Sequence, residues 1–217
     1  MHLLDIHCHG PRRHQAIRNV RLGVEQIPDV GPVSLGIHPW DAANPSHVLP
    51  DKGHWPPRAV AVGECGLDRA CDAPFPIQVE VFKKHVAMAE DEGLPVIVHC
   101  VRAFHELLLV RRQLHADQPW IIHGFNKGGD TLQNVLDAGL FVSFGAAVLD
   151  ASTPAAWACR LTPSSRLLVE TDDVDMDIAD VIATVSRLRD EPYDVVAAYV
   201  HENVHNAKLC PTHLPQL

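Results

Sequence analysis

Eight short apolar runs, at about 2–7, 18–23, 32–37, 59–64, 95–99, 119–123, 140–144 and 167–171, recur along the 217 residues. Stretches of helical periodicity follow several of them, the alternation of a parallel sheet with covering helices. Val79, Phe82, Val86 and Ala89 share one helix face, which Gly93 and Pro95 end. Ala103, Leu107, Val110 and Leu114 mark a second face, and Thr153-Pro154 forms an N-cap and N1 pair for a third helix. Ile178, Val181, Val185 and Leu188 mark another, and a last helix is predicted from about 194 to 209. The run at 18–23, Arg18-Asn19-Val20-Arg21-Leu22-Gly23, is the weakest, because charges are unusual in a strand buried on both faces.

Eight units in 217 residues leave about 27 residues each, slightly below the roughly 30 of an ordinary βαβ unit. The expected fold is therefore α/β, a compact TIM-type (β/α)8 barrel with a shortened second strand-helix unit. Residues 10–31 are the place for that shortening. No composition shift or clear repeat divides the chain, so 1–217 reads as a single domain.

Composition narrows the function. A formal charge of -9 disfavours a protein that grips nucleic acid through a broad basic surface. The 15 histidines demand an explanation, since imidazole is the commonest protein ligand for transition metals. Six cysteines without a C-x-x-C pair, and the lack of a signal-type or membrane-length apolar run, read as a cytoplasmic protein with reduced thiols.

The apolar runs stop at metal-binding groups. Leu-Leu-Asp-Ile leads into His7 and His9, Ser-Leu-Gly-Ile into His38, and Val-Ala-Val-Gly into Glu64. Pro-Val-Ile-Val leads into His99, Trp-Ile-Ile into His123, and Leu-Leu-Val-Glu-Thr into Asp172. In a closed parallel barrel the C-terminal strand ends form one rim, so these residues converge. His7 and His9 lie about 6.6 Å apart along a strand and share a face, with Cys8 turned away. Cys65 and Cys100, each next to a candidate ligand, are expected to pack away from the centre as well. Four histidines and two carboxylates can hold two divalent ions: His7, His9 and Asp172 on one, His99 and His123 on the other, Glu64 between. Such a centre keeps a net positive charge and attracts an anionic ester.

The ordered motifs Asp5-Ile-His-Cys-His9, Gly36-Ile-His-Pro39, Gly63-Glu-Cys-Gly-Leu-Asp68, Pro95-Val-Ile-Val-His99, His123-Gly-Phe125, Glu170-Thr-Asp172 and Glu202-Asn203 span nearly the whole chain. Together they resemble the TatD family of metal-dependent hydrolases, within the amidohydrolase-like superfamily. The resemblance implies a TIM-type barrel and hydrolysis at a two-metal centre, often of nucleic-acid phosphodiesters. It places family ligands at His7, His9, Glu64, His99, His123 and Asp172. Glu64 stands where many superfamily relatives carry a carboxylated lysine, which favours the TatD branch. The chain departs from the family at Gly10-Pro-Arg-Arg-His14, at Asn126-Lys127 and at Asp173, which alters the pocket wall.

Asp172 is expected to orient the attacking water and accept its proton, with Glu64 as the other catalytic carboxylate. His38, Arg102, Arg12, Arg13 and Lys127 are candidates for substrate contact, and Asp68 for fixing its loop. The ions can be magnesium, manganese or zinc, because the donor set mixes imidazole with carboxylate. The leading expectation is a deoxyribonuclease cleaving DNA, with no membrane and no obligate protein partner. The alternatives are an amide or ester hydrolase, such as an aminoacyl-nucleic-acid deacylase, and a noncatalytic metal-binding protein. His85, His105 and His201 are expected at surface or helix positions, with His201 and His205 on one helix face.

Overall fold

The computed structural model describes residues 5–10 and 16–210. Eight parallel strands close into a barrel in chain order: β1 (Asp5–Cys8), β2 (Ala16–Arg21), β3 (Val33–Gly36), β4 (Ala59–Asp68), β5 (Val96–Val101), β6 (Trp120–Ile122), β7 (Phe141–Phe144) and β8 (Leu167–Val169). Around them stand α1 (Phe75–Glu92), α2 (Phe104–Leu114), α3 (Asp130–Asp137), α4 (Pro154–Leu161), α5 (Ile178–Arg189) and α6 (Tyr193–Asn206). The expected barrel and each of its strands are present. Thr153 caps α4 as its sequence suggests, its hydroxyl accepting from the amide of Ala156. The sequence reading missed α3, whose eight residues carry only two buried apolar side chains, Leu132 and Val135.

Shortening extends beyond the second unit. Residues 22–32 join β2 to β3 without an α-helix, and residues 37–58 join β3 to β4 with only a 3-10 turn at Pro39–Asp41. Prolines at 28, 32, 39, 45, 50, 56 and 57 remove amide donors from these links and break helical propagation. The doubtful strand survives because its polar positions have partners. Buried Asn19 is hydrogen-bonded to Glu64, and Arg21 is paired to Asp41 at 2.6 Å.

The main core lies between strands and helices, where Val62, Val96, Val98, Trp120, Ile122, Val142 and Val169 face α-helical residues such as Phe82, Leu107 and Val185. A smaller core holds Ile17, Ile97, Ile121, Phe141 and Leu168 together with Val204 and Leu209. Side chains two apart on a strand share a face. The files Ile17–Asn19, Ile97–His99, Ile121–His123 and Leu168–Glu170 thus run from apolar floor to polar rim.

His85 lies on a helix, α1, one of the two placements expected for it, but is fully buried there. Its Nδ1 donates to the carbonyl of Val81 at 2.8 Å and its Nε2 accepts from the amide of Ile37 at 2.9 Å. It therefore anchors the segment that presents His38. Burial pushes its pKa down to about 4, so folding favours neutral imidazole. The resulting stability is complete above the unfolded value near 6.5 and is lost as pH falls toward 4. Urea unfolding should show His85 contributing a loss of about 2 kcal/mol between pH 7 and pH 5. That share of the pH dependence should be missing in His85→Gln; an identical slope in both proteins would contradict it.

Candidate metal centre

Barrel closure assembles the first part of the centre. The amide of His9 donates to the carbonyl of Asp172 at 2.9 Å, and the amide of Asp172 donates to that of His7 at 3.0 Å. Asp5 reinforces the seam by accepting from the hydroxyl of Thr171 at 2.7 Å and from its amide at 3.1 Å. Burial raises the Asp5 pKa to about 6, offset in part by these bonds. The Nε2 atoms of His7 and His9 come within 3.2 Å, and Asp172 Oδ1 lies 3.6 Å from the first and 3.4 Å from the second. Asp172 adopts a left-handed φ of 53°, which Asp tolerates better than most residues.

Glu64 is not at a strand end as the sequence suggests. β4 continues to Asp68, and its pairing with β5 shifts register between Val62 and Cys65. The shift turns Glu64 inward although it stands three residues after Ala61. Glycine permits it: within the shifted stretch Gly63 has φ 137°, and a Cβ there would overlap the carbonyl oxygen of Ile97.

The two oxygens of Glu64 face different partners. Oε1 lies 2.9 Å from His99 Nδ1, 2.8 Å from His123 Nε2 and 3.2 Å from His38 Nε2. Oε2 lies 3.6 Å from the Nε2 atoms of both His7 and His9, and it accepts from Asn19 Nδ2 at 3.1 Å. Asn19 also accepts from the Glu64 amide at 2.8 Å, which locks the carboxylate plane. The carboxylate stands between two histidine pairs.

Three-donor groups able to hold a cation include His7–His9–Asp172, His7–Glu64–His123, His38–Glu64–His99 and His123–Glu170–Asp172. Donors about 2.1 Å from one ion sit about 3.0 Å apart at a right angle and about 3.4 Å apart at the tetrahedral angle. The separations around Glu64 and Asp172, 2.8–3.6 Å, bracket that spacing. Charge points the same way. Burial alone would raise the Glu64 pKa, but the charge and hydrogen bonds of His123 and the other imidazoles hold it well below the carboxylate range. Against the cost of its own burial, His123 is lifted well above the usual imidazole value by Glu64 and Glu170. His7, buried and facing His123, is pushed down. The pocket thus favours positive charge among its acids, and Glu170 Oε2 is buried with no hydrogen-bond partner. The donor set fits divalent cations.

Behind the histidines lie further acids. Asp68 Oδ2 is 3.3 Å from His99 Nε2, and Glu170 Oε1 is 3.5 Å from His123 Nδ1, so each imidazole of this pair is flanked by a second carboxylate. In the sequence Glu170 stands at a strand end and in the motif Glu170-Thr-Asp172 without a role of its own, although its spacing of two from Asp172 places both on one face. His38 is closer to the centre than expected. Its Nδ1 accepts from the amide of Trp40 at 3.2 Å, so in the neutral ring Nε2 carries the proton and donates to Glu64.

The other candidates are not drawn in. Arg102 and Lys127 are exposed in the loops after β5 and β6, and among the described residues neither is hydrogen-bonded or ion-paired to the six expected ligands. Arg12 and Arg13 lie outside the described residues. Cys65 packs in the outer core and Cys100 against it, as strand alternation requires. His201 and His205 do share a face of α6, their Nε2 atoms 3.3 Å apart. His201-Glu202-Asn203-Val204-His205 has the H-E-x-x-H spacing of zinc proteases, but its Asn203 donates to the carbonyls of Ser164 and Leu167. That motif fastens α6 at the start of β8, the far end of the strand from Glu170.

No helix among the described residues is long and apolar enough to cross a membrane. Residues 13–207 match the family model described as TatD related DNase. The 3'-5' ssDNA/RNA exonuclease TatD of Musicola paradisiaca (strain Ech703) is 32% identical over 168 residues, 73% of this chain and 63% of that protein. The uncharacterized metal-dependent hydrolase YabD of Bacillus subtilis (strain 168) is 32% identical over 119 residues, 53% of this chain and 46% of that protein. The chain therefore spans less than two thirds of the length of these two relatives. Among solved structures, the YjjV TatD homologue of Escherichia coli K12 superposes with a TM-score of 0.68 at 23% identity, covering 81% of this chain and 76% of that one. A TatD family hydrolase of Entamoeba histolytica gives 0.70 at 16% identity, covering 81% and 74%. At these identities the solved structures speak for the fold, and the family model speaks for descent: the chain belongs to the TatD related DNase family.

Proposed function

We propose that this chain is a metal-dependent hydrolase cleaving the phosphodiester bonds of single-stranded nucleic acid, DNA foremost, at a pair of divalent cations. One observation carries the reading: the two oxygens of Glu64 face two separate histidine pairs, the arrangement a bridging carboxylate needs. The names of the TatD relatives, exonucleases of ssDNA and RNA, support the substrate class.

His7, His9, Asp172 and Glu64 Oε2 would hold one cation; His99, His123 and Glu64 Oε1 the other. Magnesium, manganese and zinc all suit a mixed imidazole and carboxylate set. Bound there, the ions supply Lewis acidity to a phosphoryl oxygen and lower the pKa of water. Asp68 and Glu170 orient His99 and His123, Asn19 fixes Glu64, and His38 donates to it from the substrate side. Asp172, the more exposed of the two catalytic carboxylates, accepts the proton of the water that attacks phosphorus. Arg102 and Lys127 reach phosphates farther along the strand.

Single-stranded DNA, a generic phosphodiester and an aminoacylated RNA should be compared with magnesium, manganese and zinc each supplied in turn. Cleavage of the first, abolished by EDTA and restored by one of these ions, is the expected result. Release of the aminoacyl group without DNA cleavage under any ion would replace the phosphodiester reading with an ester one.

A further inference from the structure

An acidic chain that binds a polyanionic strand needs affinity that does not come from a basic surface. The formal charge is -9. Stacking of bases on aromatic rings supplies such affinity, because every base has a π-face whatever its sequence.

Trp40 is placed for this. It lies in the turn after β3 beside His38, and 57% of it is exposed, the largest exposure of any described tryptophan. Isolated exposed apolar residues are ordinary; a rigidly held one at a reactive rim is less so. The indole Nε1 donates to Asp68 Oδ2 at 2.8 Å, and the same oxygen is 3.3 Å from His99 Nε2. The ring meets His38 edge-on at 4.6 Å between centroids and stands 6.4 Å from the His99 ring. Arg21 lies over it at 5.8 Å and is itself held by Asp41 through Nε at 2.9 Å. Every rotatable bond of the indole is thus constrained before a ligand arrives, which removes the ordering cost of forming a stack.

Resting on the nuclease reading above, we infer that the exposed indole of Trp40 is a nucleobase subsite: it stacks the base of the nucleotide whose phosphate lies at the centre. The subsite takes unpaired bases only, since a base within a duplex is already stacked on both faces. Its consequence is a preference for single strands that needs no base-specific hydrogen bond.

The test measures binding to the metal-free protein in EDTA, so that no cleavage intervenes. Fluorescein-labelled oligothymidylate is compared with an abasic oligomer of equal length by anisotropy. Trp40→Ala should weaken oligothymidylate binding about 5- to 150-fold, the range that stacking of one base supplies. Binding of the abasic oligomer should be the same for both proteins. Trp40→Phe loses the bond to Asp68 yet keeps a ring, and should recover most of the affinity. Equal losses for Trp40→Phe and Trp40→Ala, or equal losses on both oligomers, would overturn the subsite and assign Trp40 to holding Asp68. Unchanged binding in Trp40→Ala, or equal wild-type affinity for the two oligomers, would overturn it too. Hydrolysis of a generic phosphodiester by the metal-loaded wild type reports separately on the nuclease reading, so the two can fail independently.

Discussion

Glu64→Ala should lower cation affinity at the centre by more than about 100-fold, beyond the upper end of what changes to groups behind a ligand cost. Glu64 presents one oxygen to each histidine pair, so its loss removes a donor from each set at once. Truncation also leaves the rings of His38, His99 and His123 facing an empty buried space, at about 1–3 kcal/mol for each unsatisfied group. Glu64→Gln separates these effects. It preserves shape and one acceptor oxygen, so it should fold at wild-type yield and still lose affinity, because a neutral amide cannot offset two divalent charges. Elemental analysis after dialysis reads the result directly. Two ions retained per chain in Glu64→Ala would show that the carboxylate does not bridge.

Asp172→Asn should act on turnover more than on metal content. His7, His9 and Glu64 Oε2 remain to hold their cation, while the proton acceptor is gone; such assistance is worth about 10²–10⁴-fold in rate. The substitution imposes no backbone strain, since Asn adopts the left-handed conformation of this position as readily as Asp. Full activity with normal metal content would remove Asp172 from the chemistry. A second readout checks its electrostatic setting. In the metal-free protein, burial and the nearby Glu170 carboxylate push the Asp172 pKa up to about 6. Folding therefore favours the protonated acid, and stability is lost as pH rises through that value. Metal-free Asp172→Asn should accordingly melt above wild type at pH 8, with the gap closing below about pH 4. A gap of the same size at both pH values would place its cause outside this ionisation.

The strand-end histidines were legible because a parallel strand converts sequence position into height along the barrel. A polar residue two places beyond an inward apolar one, as in Ile97–His99 and Ile121–His123, has only the rim to occupy. The charges of Arg18 and Arg21 weigh against a buried strand in the sequence, yet Arg21 is paired to Asp41 and the neutral Asn19 between them holds Glu64. His85 looked like one scattered histidine among many; only the packing of α1 against the segment before His38 shows its two bonds. Asp68 was expected to fix its loop, and the structure adds contacts to Trp40 and His99.

By itself the sequence determined the class of fold, the order of the strands and the residue types gathered at one rim, because periodicity and the C-terminal ends of parallel strands are local properties. It did not determine that β4 shifts register to turn Glu64 inward, nor which oxygen of that acid meets which histidine. Those were decided by closure of β1 against β8 and by the glycine-permitted irregularity beside β5. Distances of a few ångströms between residues far apart in the chain depend on how strands are staggered around a ring, and stagger is a property of the whole ring.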